Sequence, residues 1–444
     1  MKSYTTPWLI ILFISFTLSF AQNPIVPPGV YIADPSAHVW DDGKLYLYGS
    51  LDESLKYYCS SRHYVMFTED MKEWTICEDR FSSKGENDQV PYNDAVLYAP
   101  DCRYRDGIYY LYYCQPDPRN AEGVAISSSP TGPFIDGKKM NTYGYNQIDP
   151  SAFIDDDGQA YYVWGQFTMK MARLKPNMLE LDQSTIKDSV LTEWEHYFHE
   201  GAYLTKRYNI YYLVYADLSR ADMPTCIGYA MSDSPMGPYR YGGVIVDNDR
   251  CDPGNWNNHG SIEEFNGQWY VFYHRATHNS KMMRKACVEP ITFAADGRIP
   301  EVEMTSQGAA GPLPASRKID AERACTMLGD IRIQLTEPGN EELGHINHED
   351  RAVFKYIDFG KGVDSVLVRV RPGKTAGKIA LKQDMPWGPS VADVAVPAGK
   401  GERSWTVVTA DVNEIKGVHA LWLMFYSENE TDDLDLSVDW LQFQ

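Results

Sequence analysis

Between Asp34 and Arg275 one pattern of polar and apolar positions is written five times: a polar or acidic residue, a short apolar run, a tight turn, then an aromatic-rich alternating stretch. The first copy is Asp34-Pro-Ser-Ala-His-Val-Trp-Asp-Asp-Gly-Lys-Leu-Tyr-Leu-Tyr, and the others open at Ala99, Asp149, Glu200 and His259. Alternation of period two on either side of a turn predicts a β-hairpin. Asp42-Gly43, Asp106-Gly107, Asp157-Gly158 and Asn266-Gly267 supply the turns, because Asn, Asp and Gly tolerate the positive φ that tight hairpins need. The fourth copy uses Tyr208-Asn209, a weaker turn signal.

Hairpins repeated at roughly 50 to 65 residues predict a propeller, in which equivalent positions surround one axis. Blades of about four strands and 55 residues would fill the span from Gln22 to Pro312, giving a five-bladed β-propeller over residues 22–312. The recurrence of Ser127-Ser-Ser-Pro-Thr-Gly-Pro-Phe134 as Ser232-Asp-Ser-Pro-Met-Gly-Pro-Tyr239 extends the repeat to outer strands. Tyr109, Tyr110, Tyr112 and Tyr113 follow a turn as aromatics do in every copy, so packing between blades explains them better than sugar stacking.

From Thr305 to Arg317 the chain turns to Ser, Gly, Ala and Pro and reads as a linker. Short alternating stretches follow at 352–359, 365–370, 378–382, 404–409, 419–426 and 436–443, with no amphipathic helix among them. This predicts a β-sandwich of jelly-roll type within residues 313–444, so the chain is expected to be all-β. Residues 1–21 carry Lys2, an apolar stretch from Trp8 to Phe20 and small residues at Ser19 and Ala21. They read as a signal peptide cleaved near Ala21/Gln22, which makes the mature protein secreted or periplasmic. The apolar stretch is short and interrupted for a membrane anchor.

A net charge of −20 with 43% hydrophobic residues describes a soluble globular protein whose acidity disfavours nucleic acid and anionic membranes as partners. Neutral polymers remain, and the chain is expected to be a monomer. The eight cysteines have neither zinc spacing nor a fixed disulfide framework, which leaves structural or free thiols.

Asp34 and Asp149 each open Asp-Pro-Ser-Ala nine residues before their turn glycine, and Glu200 stands nine residues before Asn209. In that register three carboxyl groups meet at one end of the axis. Mutual repulsion and partial burial split their proton affinities, so that an acid and a base coexist near neutral pH. This is the equipment for cleaving a glycosidic bond; capping of turns or ion binding is the plainer use of any single Asp.

These motifs resemble glycoside hydrolase family 43 over about residues 30–300. The resemblance rests on the early Asp-Pro, the Ala-Pro-Asp before a Tyr-rich hairpin, Ile148-Asp-Pro-Ser-Ala-Phe-Ile-Asp-Asp-Asp-Gly158, Glu200-Gly201, and His259-Gly-Ser with Phe272-Tyr-His-Arg275. It implies a five-bladed propeller and hydrolysis with inversion. Asp34 would be the general base, Glu200 the general acid, and Asp149 the residue that orients substrate and keeps the proton affinity of the acid high. Arg275 would bind sugar hydroxyls, an ion pair with a neighbouring carboxylate being its plainer use; Trp164 and Phe167 would floor the pocket, with core packing as the alternative; and His259 would hold a structural Ca²⁺ partly through water, no cofactor being needed for the chemistry.

Tyr356-Ile-Asp-Phe-Gly360, Gly417-Val-His-Ala-Leu-Trp-Leu-Met-Phe425 and Val438-Asp-Trp-Leu-Gln-Phe443 are similar to a family 6 carbohydrate-binding module over about residues 318–444. Ser437 stands where such modules have a sugar-binding Asn, and Trp387 is the candidate exposed aromatic. Together the resemblances imply an exported glycosidase that removes terminal pentose, foremost α-L-arabinofuranose, from plant cell-wall polysaccharide or oligosaccharide. A β-xylosidase or galactosidase of the same family, and a binding protein without catalysis, are the alternatives.

Overall fold

The computed structural model describes residues 22–116, 122–145, 147–220, 223–399, 404–430 and 434–444; the expected signal peptide lies outside them. The chain is all-β, with five antiparallel sheets in succession followed by two six-stranded sheets. The first sheet runs in order through Ile32–Val39, Leu45–Leu51, Arg62–Thr68 and Thr75–Ser82, and the second through Tyr98–Arg105, Ile108–Cys114, Glu122–Ser127 and Ile135–Lys139. The fourth sheet, Phe198–Arg207 to Arg240–Asp247, also has four strands. The third (Ser151–Ile154, Ala160–Trp164, Lys170–Arg173) and the fifth (Ser261–Phe265, Gln268–Arg275, Lys285–Ile291) have three, fewer than the repeat predicts. In the third, isolated bridges such as Met171 to Lys187 stand in place of a fourth ladder.

The opening strands of the first four sheets touch in order, Tyr203 of the fourth sheet donates to Glu263 of the fifth, and the strand Ile32–Val39 meets the opening strands of both the second and the fifth sheet. Leu47 and Met66 share a buried cluster with Phe272 and Val288 across that junction. The segment after Gln22 seals it: Asn23 donates its side-chain N–H to Val288 O and accepts from Val288 N–H, and Ile25 N–H donates to Ala286 O. The aromatics of the repeat fill the spaces between sheets, as Tyr112 against Tyr162 and Phe81 against Tyr113.

The C-terminal sheets enclose one apolar core from Leu313 to Phe443. Strands Arg351–Asp358, Ser365–Arg371, Gly377–Gln383, Thr406–Asp411, Val418–Ser427 and Leu436–Phe443 match the alternating stretches, and Arg332–Glu337, Asn340–Ile346 and Ser390–Val396 with the short strands Leu313–Pro314, Ile319–Asp320 and Thr326–Leu328 complete the two sheets. The Pro- and Gly-rich segment before them is bonded on both sides: Thr305 N–H donates to the Glu289 carboxylate, and Leu313–Pro314 pairs with Ile357–Asp358. A buried Lys285–Glu341 ion pair joins the fifth sheet to this region. All eight cysteines are buried and free.

Candidate active site

A cavity of about 380 Å³ is lined by Asp34, Asp149 and Glu200 together with His259, Arg284, Tyr58, Phe167, His199 and Trp256. Local backbone irregularities aim the acids there. The ladder of Ile32–Val39 loses register between Ala33 and Ser36, and that of Phe198–Arg207 loses it on both sides of Glu200. A bulge of this kind bends the strand and redirects a side chain. Asp34 and Asp149 lie at φ +52° and +59°, a region that Asp tolerates better than most residues. The proline that follows each Asp has no N–H to leave unpaired where the ladder is broken.

The three acids sit in unequal fields. Burial alone would raise Asp34, but Arg284, whose guanidinium donates to Oδ1 at 2.8 Å, and His259, with Nδ1 3.6 Å away, hold it far below the usual carboxylate range. Arg284 is itself anchored by two bonds of 2.9 Å to the buried Asp52. Asp149 is pushed up to about 8 by burial, and the charges of Glu200 and Asp34 add to the rise against His259 and Arg284. At neutral pH the free protein therefore keeps Asp34 ionised and a proton on Asp149. Glu200 is oriented at both oxygens, Oε2 accepting from Gln166 Nε2 at 2.7 Å and Oε1 from Asn257 Nδ2 at 3.1 Å.

A continuous set of hydrogen bonds ties the first acid to the last. Burial, with Arg284 nearby, lowers His274 to about 3, so its ring is neutral. Its Nδ1 accepts the Asp34 N–H, its Nε2–H donates to Asn257 O, and the Asn257 amide reaches Glu200. Gly201 completes the site because it lies at φ +70° directly under the His259 ring; a Cβ there would fall 2.7 Å from His259 Cδ2.

Phe167 lines the pocket as expected, half exposed and edge-on to His199 at 5.3 Å. Two expectations are corrected. Arg275 does not face the pocket: it alternates with His274, shares the side of the strand that carries Tyr273, and donates from Nε to Cys287 Sγ. Arg284 is the arginine at the pocket, in a segment that no repeat marks. Trp164 is fully buried against Tyr162, its indole N–H spent on Tyr145 O, so it is core rather than floor. Sequence reasoning also missed Tyr58, whose hydroxyl has no protein partner among the described residues, and Trp256, exposed in the Asp252-Pro-Gly-Asn-Trp loop.

The expected Ca²⁺ at His259 would have to be held largely through water. That ion takes six to eight oxygen ligands. Here the nearest carboxylate, Asp34, already faces the Arg284 guanidinium, and no group of three or more His, Cys, Asp or Glu is placed to hold a metal among the described residues. In the C-terminal sheets Trp387 is 81% exposed. Ser437, by contrast, is buried and bonded to Glu342, which also pairs with Arg371, so the expected polar cleft position is filled by the protein's own groups.

The model of glycosyl hydrolases family 43 matches residues 21–299, and that of carbohydrate binding module family 6 matches residues 320–444. A xylosidase/arabinosidase of Thermoclostridium stercorarium is 31% identical over 91% of this chain and 95% of its own length. A β-xylosidase/α-arabinofuranosidase from a compost metagenome, crystallised with xylotriose in a calcium-free form, is 28% identical with a TM-score of 0.55 over 65% of this chain and 99% of its own. An arabinoxylan arabinofuranohydrolase from Bacillus subtilis shares the fold over 96% of this chain and 99% of its own, at TM-score 0.54 and 24% identity.

Proposed function

Because this chain belongs to glycosyl hydrolase family 43 and is a glycosidase, we propose that it removes terminal α-L-arabinofuranose from arabinoxylan or its oligosaccharides, with inversion. The observation that carries this reading is the convergence of Asp34, Asp149 and Glu200 on one pocket in unequal electrostatic fields. Asp34, ionised beside Arg284, takes a proton from water as the water oxygen attacks the anomeric carbon. The bond from that carbon to the leaving oxygen breaks, and Glu200 gives that oxygen its proton. Asp149 holds sugar hydroxyls beside the acid. Tyr58 is placed to bond a further hydroxyl.

In this reading the five sheets are the blades of a five-bladed propeller spanning residues 22–312, and residues 1–21 direct export. An arabinoxylan arabinofuranohydrolase of Paenibacillus polymyxa, 25% identical over 91% of this chain and 72% of its own length, favours arabinose. A β-xylosidase of Xylanibacter ruminicola, 27% identical over 62% of this chain and 98% of its own length, favours the second reading, release of terminal xylose. The test is hydrolysis of aryl α-L-arabinofuranoside, β-D-xyloside and β-D-galactoside, with the first-formed anomer followed by proton NMR. Fastest turnover of the arabinofuranoside with an inverted product is expected; a retained configuration or silence on all three overturns the proposal.

A further inference from the structure

The turn of the fourth sheet carries an unlikely residue. The two-residue turns of the second and fifth sheets place Asp106 and Asn266 at φ +52° and +53°, whereas the fourth places Tyr208 at φ +54°. A bulky aromatic is disfavoured in that region, and Tyr208 is 78% exposed, so burial does not compensate it. The ring is nonetheless held in place. The Arg207 guanidinium lies between the rings of Tyr208 and Phe293, 4.4 and 4.3 Å from their centroids, and Phe293 meets Trp269 edge-on at 5.3 Å.

Tyr208 and Trp269 border a cavity of about 370 Å³ that is otherwise walled by Lys206, Arg207, Glu264 and Gly267. Lys206 is committed to Asp155 and Asp156, which leaves the exposed Glu264 carboxylate and the outer N–H groups of Arg207 as polar contacts. The cavity sits at the turn end of Phe198–Arg207, seven residues along the strand from Glu200. At 3.3 Å per residue that is about 23 Å from the active-site pocket.

We propose that this cavity is a second carbohydrate-binding site, taking a run of neutral sugar units from a polysaccharide chain. The apolar face of a pyranose stacks on an aromatic ring, and its equatorial hydroxyls bond to groups at the ring's edge; a pre-stacked Tyr provides the first at low entropic cost, and Glu264 with Arg207 the second. The chain's net charge of −20 and Glu264 itself disfavour an anionic polymer. The inference does not depend on which sugar the active site cleaves.

The test is affinity electrophoresis of the full chain carrying Asp34→Asn and Trp387→Ala, in gels containing soluble arabinoxylan, hydroxyethylcellulose or β-1,3-glucan. These two changes stop hydrolysis of the gel and remove the exposed aromatic of the C-terminal region. Adding Tyr208→Asn, which places a turn-tolerant residue at this φ, is expected to weaken retardation in at least one gel by about tenfold, the scale of losing one stacked aromatic. Its melting temperature should be equal or higher, and in the otherwise unchanged enzyme turnover of a small aryl glycoside should be unaltered. Glu264→Ala, at an exposed side chain, should weaken retardation in the same gel. Equal retardation with and without Tyr208, or none of the parent in any gel, overturns the proposal.

Discussion

Replacing Gly201 by Ala isolates how tightly the backbone holds the site. The control is Gly43→Ala: both glycines lie in the left-handed region, at φ +70° and +75°, but nothing lies within 4 Å of a Cβ at Gly43. An L-residue in that region costs about 1–2 kcal/mol, so Gly43→Ala should lose about that much and no more. At Gly201 the new methyl would meet Cδ2, Nε2 and Cγ of His259 at 2.7, 2.8 and 2.9 Å. Carbon contacts are comfortable only from about 3.5 Å, so the ring has to retreat by close to 1 Å, and overpacking of that kind adds about 1–3 kcal/mol. The expected loss is then about 2–5 kcal/mol in urea denaturation. His259 Nδ1 stands 3.6 Å from Asp34, and Glu200 is the adjacent residue, so the displacement falls among the groups proposed to react. A shift near 1 Å at such a place costs up to about 100-fold in kcat/KM. Equal stability and equal kcat/KM for the two variants would refute the reasoning.

Arg284→Met strands the buried Asp52 and removes the cation that keeps Asp34 ionised. It should destabilise the protein by about 3–5 kcal/mol and, where the variant still folds, move the acidic limb of kcat/KM to higher pH; an unmoved limb would show that Arg284 does not set the base. Asp149 is an acid whose folded value is raised to about 8. Its stabilising contribution is therefore complete below its unfolded value of about 4 and is lost as pH rises toward 8, the reverse of Asp34, which stabilises above about 4 and loses that only in strong acid. Thermal melts from pH 4.5 to 8.5 should accordingly fall less steeply for Asp149→Asn than for the parent, and a steeper fall would contradict the assignment. Exhaustive chelation should leave both melting temperature and turnover unchanged, whereas a loss restored by Ca²⁺ would place a largely hydrated ion beside His259.

The parts of this protein that repeat were readable in its sequence, and the parts that depend on side-chain parity or on long loops were not. Asp34, Asp149 and Glu200 share a register with their turns, and register survives folding, so all three reach one pocket. Gly201 was visible as a motif letter, but its reason, the ring of a residue 58 positions later, belongs to tertiary packing. In Tyr273-His274-Arg275 neighbouring side chains point to opposite faces, and only the structure tells which face meets the pocket; it is the one carrying His274. Arg284 is 250 residues from Asp34 and lies in no repeated element, so nothing local announces the pair. The positive φ at Asp34 and Asp149 had a faint signal in the proline after each. In the C-terminal region period-two alternation locates six of the twelve strands among the described residues, and of the longer ones Arg332–Glu337, Asn340–Ile346 and Ser390–Val396 escape it. In Asn340–Ile346 the buried Glu341 and Glu342 occupy positions that a reading of apolar pattern treats as solvent-facing.

The proposed division of labour between Glu200 and Asp34 is tested most directly by the ratio of kcat/KM on an activated aryl glycoside to that on the natural linkage, measured for Glu200→Gln. A good leaving group needs little protonation, so this variant should lose most of its activity on arabinoxylan oligosaccharide while keeping much of its aryl glycoside turnover, and the ratio should rise by about 100-fold or more. Asp34→Asn should abolish both reactions, because both need the attacking water. A folded Glu200→Gln protein that loses the two activities in equal proportion would contradict its role as the acid.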